Sequence, residues 1–282
     1  MQRRILIIDD HNDLAEALDE VFSHIGHQVK IVENREDALA IENSQEFDLT
    51  ITDLDVEDSA VRPDQNGRSD AAPPDVYHSK ADKLIGTNNS KTFKICASHF
   101  PTDELDKGEL KNLVATALDY KIRFVDKKEY VRHLHEVIEF ELPSDLSLMH
   151  IVLEYLIKRV ENLGVVKPEQ SNLFVALNEA FVNAVKHGNK FDAAKLIRIS
   201  AEVSSKEARF TIEDEGEGFD VNGIPNPLDP KNLFKTTGRG MLFIYNIMDA
   251  VKYNERGNRL TMVKKSENPS LQAEIQISNV DI

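Results

Sequence analysis

The chain has 282 residues, of which 41% are hydrophobic and 29% charged, enough for two globular domains. Its net charge of −15 argues against direct binding of nucleic acid, which requires a basic surface. The single cysteine, Cys96, excludes an intramolecular disulfide and favours the cytoplasm, and we expect no membrane segment because no signal sequence or apolar run of about 20 residues is found.

The amino-terminal part alternates strand-like and helical patterns. A continuous apolar run at residues 4–8 predicts a strand buried on both faces, and apolar residues at helical spacing predict a helix over 12–25. The same rhythm predicts, in order, strand 29–32, helix 35–42, strand 49–52, strand 93–97, helix 103–119, a strand near 122–125 and a short helix over 128–136. We therefore expect an α/β doubly wound parallel sheet in a domain of residues 1–136, with a long polar insertion at about 56–91.

The carboxy-terminal part places helices first and strands later, which is typical of an α+β domain. We expect this second domain to span residues 137–282, directly after the first. Its predicted elements are strand 137–142, helices 146–163 and 169–187, strands 197–203 and 208–213, helix 241–250, strands 251–253 and 259–264, and one further strand at 272–278.

Five chemically active side chains follow the predicted strands of the first domain. Asp9 and Asp10 follow the first strand and Asp53 the third, while Ser98 and Lys127 follow the next two. The carboxyl ends of parallel strands meet at one crevice, where three carboxylates favour a hard cation such as Mg²⁺. This set resembles the response-regulator receiver family, whose fold is flavodoxin-like.

The resemblance to receivers implies a role for each of these side chains. Asp53 would accept a phosphoryl group from an upstream histidine kinase, Asp9, Asp10 and Asp53 would hold Mg²⁺, and Ser98 and Lys127 would support the phosphoryl oxygens. Two departures from the family are that Asp53 is followed by LDVEDSA, without the usual Met-Pro, and that Lys127 is followed by Lys rather than Pro. The alternative is a receiver-shaped docking domain that is never phosphorylated.

Three ordered motifs and a threonine mark the second domain. The segment 178–189 reads NEAFVNAVKHGN, and Glu179 and Asn183 share one helix face because they are four residues apart. Residues 211–220 read TIEDEGEGFD, and 236–242 read TTGRGML just before a predicted helix; the glycines allow close approach of the backbone to a ligand and to phosphates. Thr261 follows within a late strand.

This order of motifs resembles the ATPase superfamily of gyrase, Hsp90, histidine kinases and MutL, an α+β two-layer sandwich, and within it the anti-sigma-factor serine kinases. The resemblance implies binding of ATP with Mg²⁺. Glu179 would be the general base and Asn183 the Mg²⁺ ligand. The implied ATP-binding residues are Asn183, His187, Asp214, Gly216, Gly218, Gly238, Arg239, Gly240 and Thr261, with Asp214 and Thr261 at the adenine.

The combined expectation is a two-component response regulator whose output is a protein serine/threonine kinase, controlled by phosphorylation of Asp53. The expected partners are an anti-sigma-factor antagonist or a sigma-factor-like protein, an upstream histidine kinase and a second copy of the chain. The alternative is a non-catalytic module that sequesters such a partner in a nucleotide-dependent way. A general base at Glu179 favours the kinase, since sequestration does not require one.

Overall fold

The computed structural model describes residues 2–42, 46–56, 90–100, 107–126, 135–167, 172–221 and 239–266. The strands are β1 (Arg4–Asp9), β2 (Gln28–Val32), β3 (Leu49–Val56), β4 (Ser90–Cys96), β5 (His135–Pro143), β6 (Leu196–Ser204), β7 (Glu207–Asp214), β8 (Ala250–Tyr253) and β9 (Arg259–Lys265). The α-helices are α1 (Ala15–His24), α2 (Arg35–Glu42), α3 (Lys107–Tyr120), α4 (Met149–Asn162), α5 (Leu173–Asn183) and α6 (Arg239–Ile247). Wide π-turns at Lys121–Val125 and Ala184–Gly188 extend α3 and α5, and a 3₁₀ turn at Leu146–Leu148 precedes α4.

All nine of these strands belong to one mixed sheet, in the order β2-β1-β3-β4-β5-β6-β7-β9-β8. β1 pairs in parallel with β2 and β3, and β4 pairs in parallel with β5. The remaining described pairs are antiparallel. The first five strands therefore follow the spatial order 2-1-3-4-5 of flavodoxin-like sheets, but β4 and β5 run opposite to β1, β2 and β3.

Helices cover the part of the sheet that contains β1 differently from the antiparallel part that contains β6. β1 buries Ile5 and Ile7 in the main core and Leu6 and Ile8 in a smaller cluster on the opposite face, as expected of a strand between two layers of helices. β6 instead alternates buried with partly exposed residues, which indicates that one face of the antiparallel half is covered. None of the described helices combines the length and apolar character needed to cross a membrane.

Three sequence-based expectations about the first half are corrected. The sheet is mixed rather than fully parallel, because β3 and β4 are antiparallel. The run at 122–125, predicted as a strand, is the helical turn Lys121–Val125, since a short apolar run cannot be assigned to strand or helix by periodicity alone. The helix predicted over 128–136 includes the first residues of β5.

Other predictions fall on residues outside the described ranges. These are most of the insertion, the predicted helix between 128 and 134, and the strand at 272–278. The predicted boundary between residues 136 and 137 lies within β5, which pairs with β4 on one side and β6 on the other. A single strand is therefore common to the two halves of the sheet.

Candidate functional site

The helix α5 carries the predicted base and the predicted metal ligand. Glu179 and Asn183 are half-buried on one side of the helix, while Phe181 packs into the core. After Asn183 the helix widens into the turn Ala184–Gly188, which leaves His187 exposed. Widened turns of this kind recur at functional sites in proteins.

Asp214 ends β7 and is buried at the carboxyl end of the strand. The backbone N–H of Gly216 donates a hydrogen bond to its Oδ1 at 2.9 Å. Asn258 holds the backbone of Asp214 through two hydrogen bonds. The backbone carbonyl of Asn258 accepts from the N–H of Asp214 at 3.0 Å, and Nδ2 of Asn258 donates to the carbonyl of Asp214 at 2.8 Å. Burial raises the pKa of Asp214, while the hydrogen bond from Gly216 acts in the opposite direction. A buried carboxylate held in this way suits the exocyclic amino group of an adenine.

Three glycines allow the chain to pack closely around Asp214. A Cβ on Gly188 would overlap the Asp214 carboxylate, and a Cβ on Gly216 would meet the carbonyl of Gly188. Gly218 has a φ of +78°, in the left-handed region that favours glycine, and lies against the carbonyl of Arg256. The Asp-x-Gly-x-Gly motif therefore forms a turn that packs directly on the end of the widened α5 segment.

The start of α6 lies against the predicted base. A Cβ on Gly240 would overlap the Glu179 carboxylate, so glycine at this position lets the first turn of α6 approach α5. The amino terminus of a helix favours negative charge, and this one adjoins the face that carries Glu179 and Asn183. The geometry thus combines a carboxylate, an amide and a helix amino terminus.

The remaining predicted nucleotide residues are only partly described. Thr261 pairs with Thr211 across β7 and β9, with their hydroxyl oxygens 3.4 Å apart, and both are partly exposed. Gly238 lies outside the described residues, and of Arg239 the structure describes the backbone at the start of α6. The described part of the site is therefore built from α5, the end of β7, the start of α6 and β9.

Besides Asn258, two residues that were not predicted as site residues contact the Asp214 turn. Asn189 is fully buried, and its Oδ1 accepts a hydrogen bond from the backbone N–H of Glu215 at 2.8 Å. Arg256 donates from Nη2 to the carbonyl of Gly216 at 2.8 Å. The one signal for Asn189 is its position directly after the His-Gly pair; Arg256 has no signal because it contacts the turn from a distant part of the chain.

The acids after β1 have separate roles in the structure. Asp9 is buried, and its Oδ2 accepts two backbone N–H groups at the start of α1, each at 2.9 Å. Asp10 contacts Nδ1 of His11 at 2.8 Å and accepts the backbone N–H of Asp55 at 2.9 Å. The hydrogen bond with Asp10 raises the pKa of His11. Among the described residues, the side chains that converge as candidate cation ligands are those of Asp10, His11 and Asp55.

Asp53 lies within β3 and is 1% exposed. Its carboxylate contacts Nζ of Lys121 at 2.8 and 3.0 Å and Nζ of Lys91 at 3.1 Å. Lys127, the predicted partner, lies outside the described residues. Ser98 is not brought to Asp53, because β4 runs antiparallel to β3 and ends beside the beginning of that strand. Cations therefore surround Asp53, but the two lysines came from positions that sequence reasoning did not select.

The ion pair at Asp53 continues into a buried network of charged side chains. Lys121 also lies 3.4 Å from Asp126, and Asp126 lies 3.4 Å from Arg159 on α4. Arg159 donates to one carboxylate oxygen of Glu136 on β5 at 2.7 and 2.9 Å. The network thus links strands β3, β4 and β5 with the end of α3 and with α4.

The carboxy-terminal part of the chain is similar in sequence to a known family of domains. Residues 142–264 match the sequence model of the family described as the histidine kinase-like ATPase domain. Such a domain is therefore present in the carboxy-terminal part of the chain.

The relatives of the chain include serine-protein kinases. Serine-protein kinase RsbW of Staphylococcus epidermidis is 29% identical over 140 residues, which cover 46% of this chain and 86% of that protein. The protein of the same name from Oceanobacillus iheyensis is 26% identical over 137 residues, covering 46% and 87%. The one from Staphylococcus aureus strain MSSA476 is 28% identical over 140 residues, covering 46% and 86%.

Proposed function

We propose that this protein is an ATP-dependent protein serine/threonine kinase that acts on a partner of the anti-sigma-factor-antagonist type. The observation that carries the proposal is the packing of Gly240, at the start of α6, against the Glu179 carboxylate. In this proposal the contact brings the base, Glu179, beside a helix amino terminus that favours phosphate. Resemblance to serine-protein kinases supports the choice of reaction.

The residues fit a nucleotide with its magnesium ion. Asp214 accepts the adenine amino group, and Thr261 offers a hydroxyl on the neighbouring strand. The close-packed glycines at 188, 216 and 218 keep side chains away from this turn. The amide oxygen of Asn183 serves as a ligand for Mg²⁺, which when bound neutralises charge on the phosphates.

Glu179 is the general base in the proposed reaction. The hydroxyl oxygen of a serine or threonine in the partner forms a bond to the γ-phosphorus of ATP, and the bond from that phosphorus to the β–γ bridging oxygen breaks. ADP leaves with the bridging oxygen, and the hydroxyl proton passes to the Glu179 carboxylate. The half-buried position of Glu179 on α5 leaves it accessible for this transfer.

The substitution Glu179→Gln tests this assignment. We expect phosphotransfer to fall by about 10²–10⁴ because an amide cannot take the proton, while ATP binding is retained. Transfer of labelled phosphate to purified antagonist proteins measures the rate, and calorimetry measures nucleotide affinity. Asn183→Ala should lose both properties, because Mg²⁺ joins the nucleotide to the protein. Glu154→Gln, at an exposed carboxylate of α4, is the matched control.

The second candidate function is nucleotide-dependent sequestration of a sigma factor or its antagonist without phosphotransfer. It is favoured if wild type and Glu179→Gln bind ATP and the partner equally and neither transfers phosphate. Equal, measurable rates of transfer in the two proteins would instead contradict the role of Glu179 as the base.

We also propose that Asp53 accepts a phosphoryl group from an upstream histidine kinase and thereby controls the kinase. Lys91 and Lys121 support this role, since their ammonium groups are placed to neutralise added negative charge. Because Asp53 is 1% exposed, the donor gains access only after the chain around it opens. We propose further that the protein is located in the cytoplasm and that it forms a homodimer.

Incubation with acetyl phosphate and Mg²⁺, followed by mass spectrometry, tests this control. We expect addition of one phosphoryl group to wild type and none to Asp53→Asn. Asp119→Asn, which changes an exposed carboxylate on α3, should still be modified at Asp53. If wild type gains no phosphoryl group, the amino-terminal half is a docking unit.

A further inference from the structure

Two residues that the resemblance does not assign to the nucleotide hold the Asp214 turn from different elements. Asn189 is 0% exposed, and its amide spans two elements: Nδ2 donates to the carbonyl of Leu196 at 2.9 Å, and Oδ1 accepts from the N–H of Glu215 at 2.8 Å. This side chain therefore ties the peptide next to Asp214 to the beginning of β6.

Arg256 holds the same turn from the connection between β8 and β9. Its guanidinium donates to the carbonyl of Gly216 at 2.8 Å, and its own carbonyl accepts the N–H of Phe219 at 3.1 Å. Gly218, with its φ of +78°, passes directly beneath this carbonyl. A distant turn therefore binds the loop at two points.

We propose that Asn189 and Arg256 are positioning residues that fix the Asp214 carboxylate in the direction needed to read adenine. The inference rests on the proposed binding of ATP at this site. The N–H of Gly216 donates to Asp214 Oδ1, so the orientation of the carboxylate depends on the peptide between residues 215 and 216. Asn189 holds the N–H of Glu215 on the peptide before it, and Arg256 holds the carbonyl of Gly216 on the peptide after it.

The geometry leaves the carboxylate little room to compensate for a loosened turn. Gly188, the residue before Asn189, lies against the Asp214 carboxylate, and the Gly188 carbonyl lies against Gly216. A shift of either peptide therefore changes the hydrogen bond to Asp214 as well as its packing. A misdirected carboxylate loses its selectivity for the adenine amino group over the guanine carbonyl, which cannot donate.

The experiment compares Arg256→Met and Arg256→Lys with wild type, using Arg209→Met as a control. Arg209 lies near the opposite end of β7 and forms exposed ion pairs with Glu202 and Glu207. We expect Arg256→Met to weaken MgATP binding by about tenfold or more, the usual scale for loss of a charged hydrogen bond, with a smaller loss for MgGTP. Arg256→Lys should recover most of the affinity.

Asn189→Ala provides a second variant, and amide hydrogen exchange provides a readout that does not need nucleotide. In the nucleotide-free protein, exchange at Glu215 and Gly216 should become faster in Asn189→Ala and Arg256→Met but not in Arg209→Met. If exchange becomes faster in these variants but the wild-type protein binds no ATP, the proposed function is refuted, while the role of the two residues in holding the turn stands. Unchanged exchange together with an unchanged preference for ATP over GTP would overturn the inference.

Discussion

At the scale of single residues, a motif predicts a reactive group more readily than it predicts the groups that hold it. Asp214 is marked by the glycines two and four positions after it, because a turn of this shape requires glycine. Lys121 carries no such signal. It reaches Asp53 only because residues 121–125 continue a helix, and the apolar residues of that segment favoured a strand.

Ionisation of Asp126 opposes folding, because this carboxyl group is buried. Burial raises its pKa from 3.8 to about 6, although Lys121 and Arg159 act to lower it. The folded protein therefore binds a proton that the unfolded chain has released between these pKa values. Stability from this group is fully present below about pH 4 and is lost as the pH rises through about 6.

Asp126→Asn should remove this pH dependence. Relative to the variant, wild type should lose up to about 3 kcal/mol of unfolding free energy as the pH rises from about 4 to about 6. Urea unfolding followed by circular dichroism at several pH values measures the difference. Parallel pH profiles for the two proteins would show that Asp126 ionises with an ordinary pKa in the folded state.

At the scale of helices and strands, element type was predicted better than strand direction. The alternation of apolar and polar residues predicted β6 and β7, and the continuous apolar run predicted β1. The direction of β4 was not predictable, because the antiparallel pairing with β3 depends on contacts between residues far apart in the chain. The separation of Ser98 from Asp53 follows from that direction.

Arg159 is the contact between α4 and β5 that should matter most for stability. It is 5% exposed and pairs with Glu136 at 2.7 Å and with Asp126 at 3.4 Å. Arg159→Met leaves two buried carboxylates without this cation, so we expect a loss of about 3–5 kcal/mol in unfolding free energy. The control Arg123→Met breaks an exposed pair with Asp119 and should cost less than about 1 kcal/mol. Equal midpoints of denaturation in the two variants would contradict a structural role for the buried network.

At the scale of the whole molecule, the described sheet does not divide at the boundary predicted from sequence. β5 is bonded to β4 and to β6, and the main hydrophobic core contains Ile5 and Met262 in one continuous cluster. Sequence reasoning recognised two sets of motifs and assigned each a domain. A strand shared by both halves was not predictable, because the pattern of apolar and polar residues along β5 does not depend on which strands lie beside it.

The shared strand predicts cooperative unfolding of the two halves. Scanning calorimetry of the full chain should give one transition whose calorimetric and van't Hoff enthalpies agree, because loss of β5 exposes both sides of the core. MgATP should move that single transition to higher temperature, since it binds the folded state. Two resolved transitions, with only one shifted by MgATP, would show that the halves unfold independently.

The central claim is that the glycine-lined turn at Asp214, together with α5 and the start of α6, binds ATP. Isothermal titration of MgATP into the full-length protein tests it most directly, with Asp214→Asn as the matched variant. We predict one bound nucleotide per chain in wild type, weaker binding of MgGTP, and strongly reduced affinity for MgATP in Asp214→Asn because the acceptor for the adenine amino group is lost. Equal affinity of wild type and Asp214→Asn for MgATP, or no binding to wild type, would contradict the account.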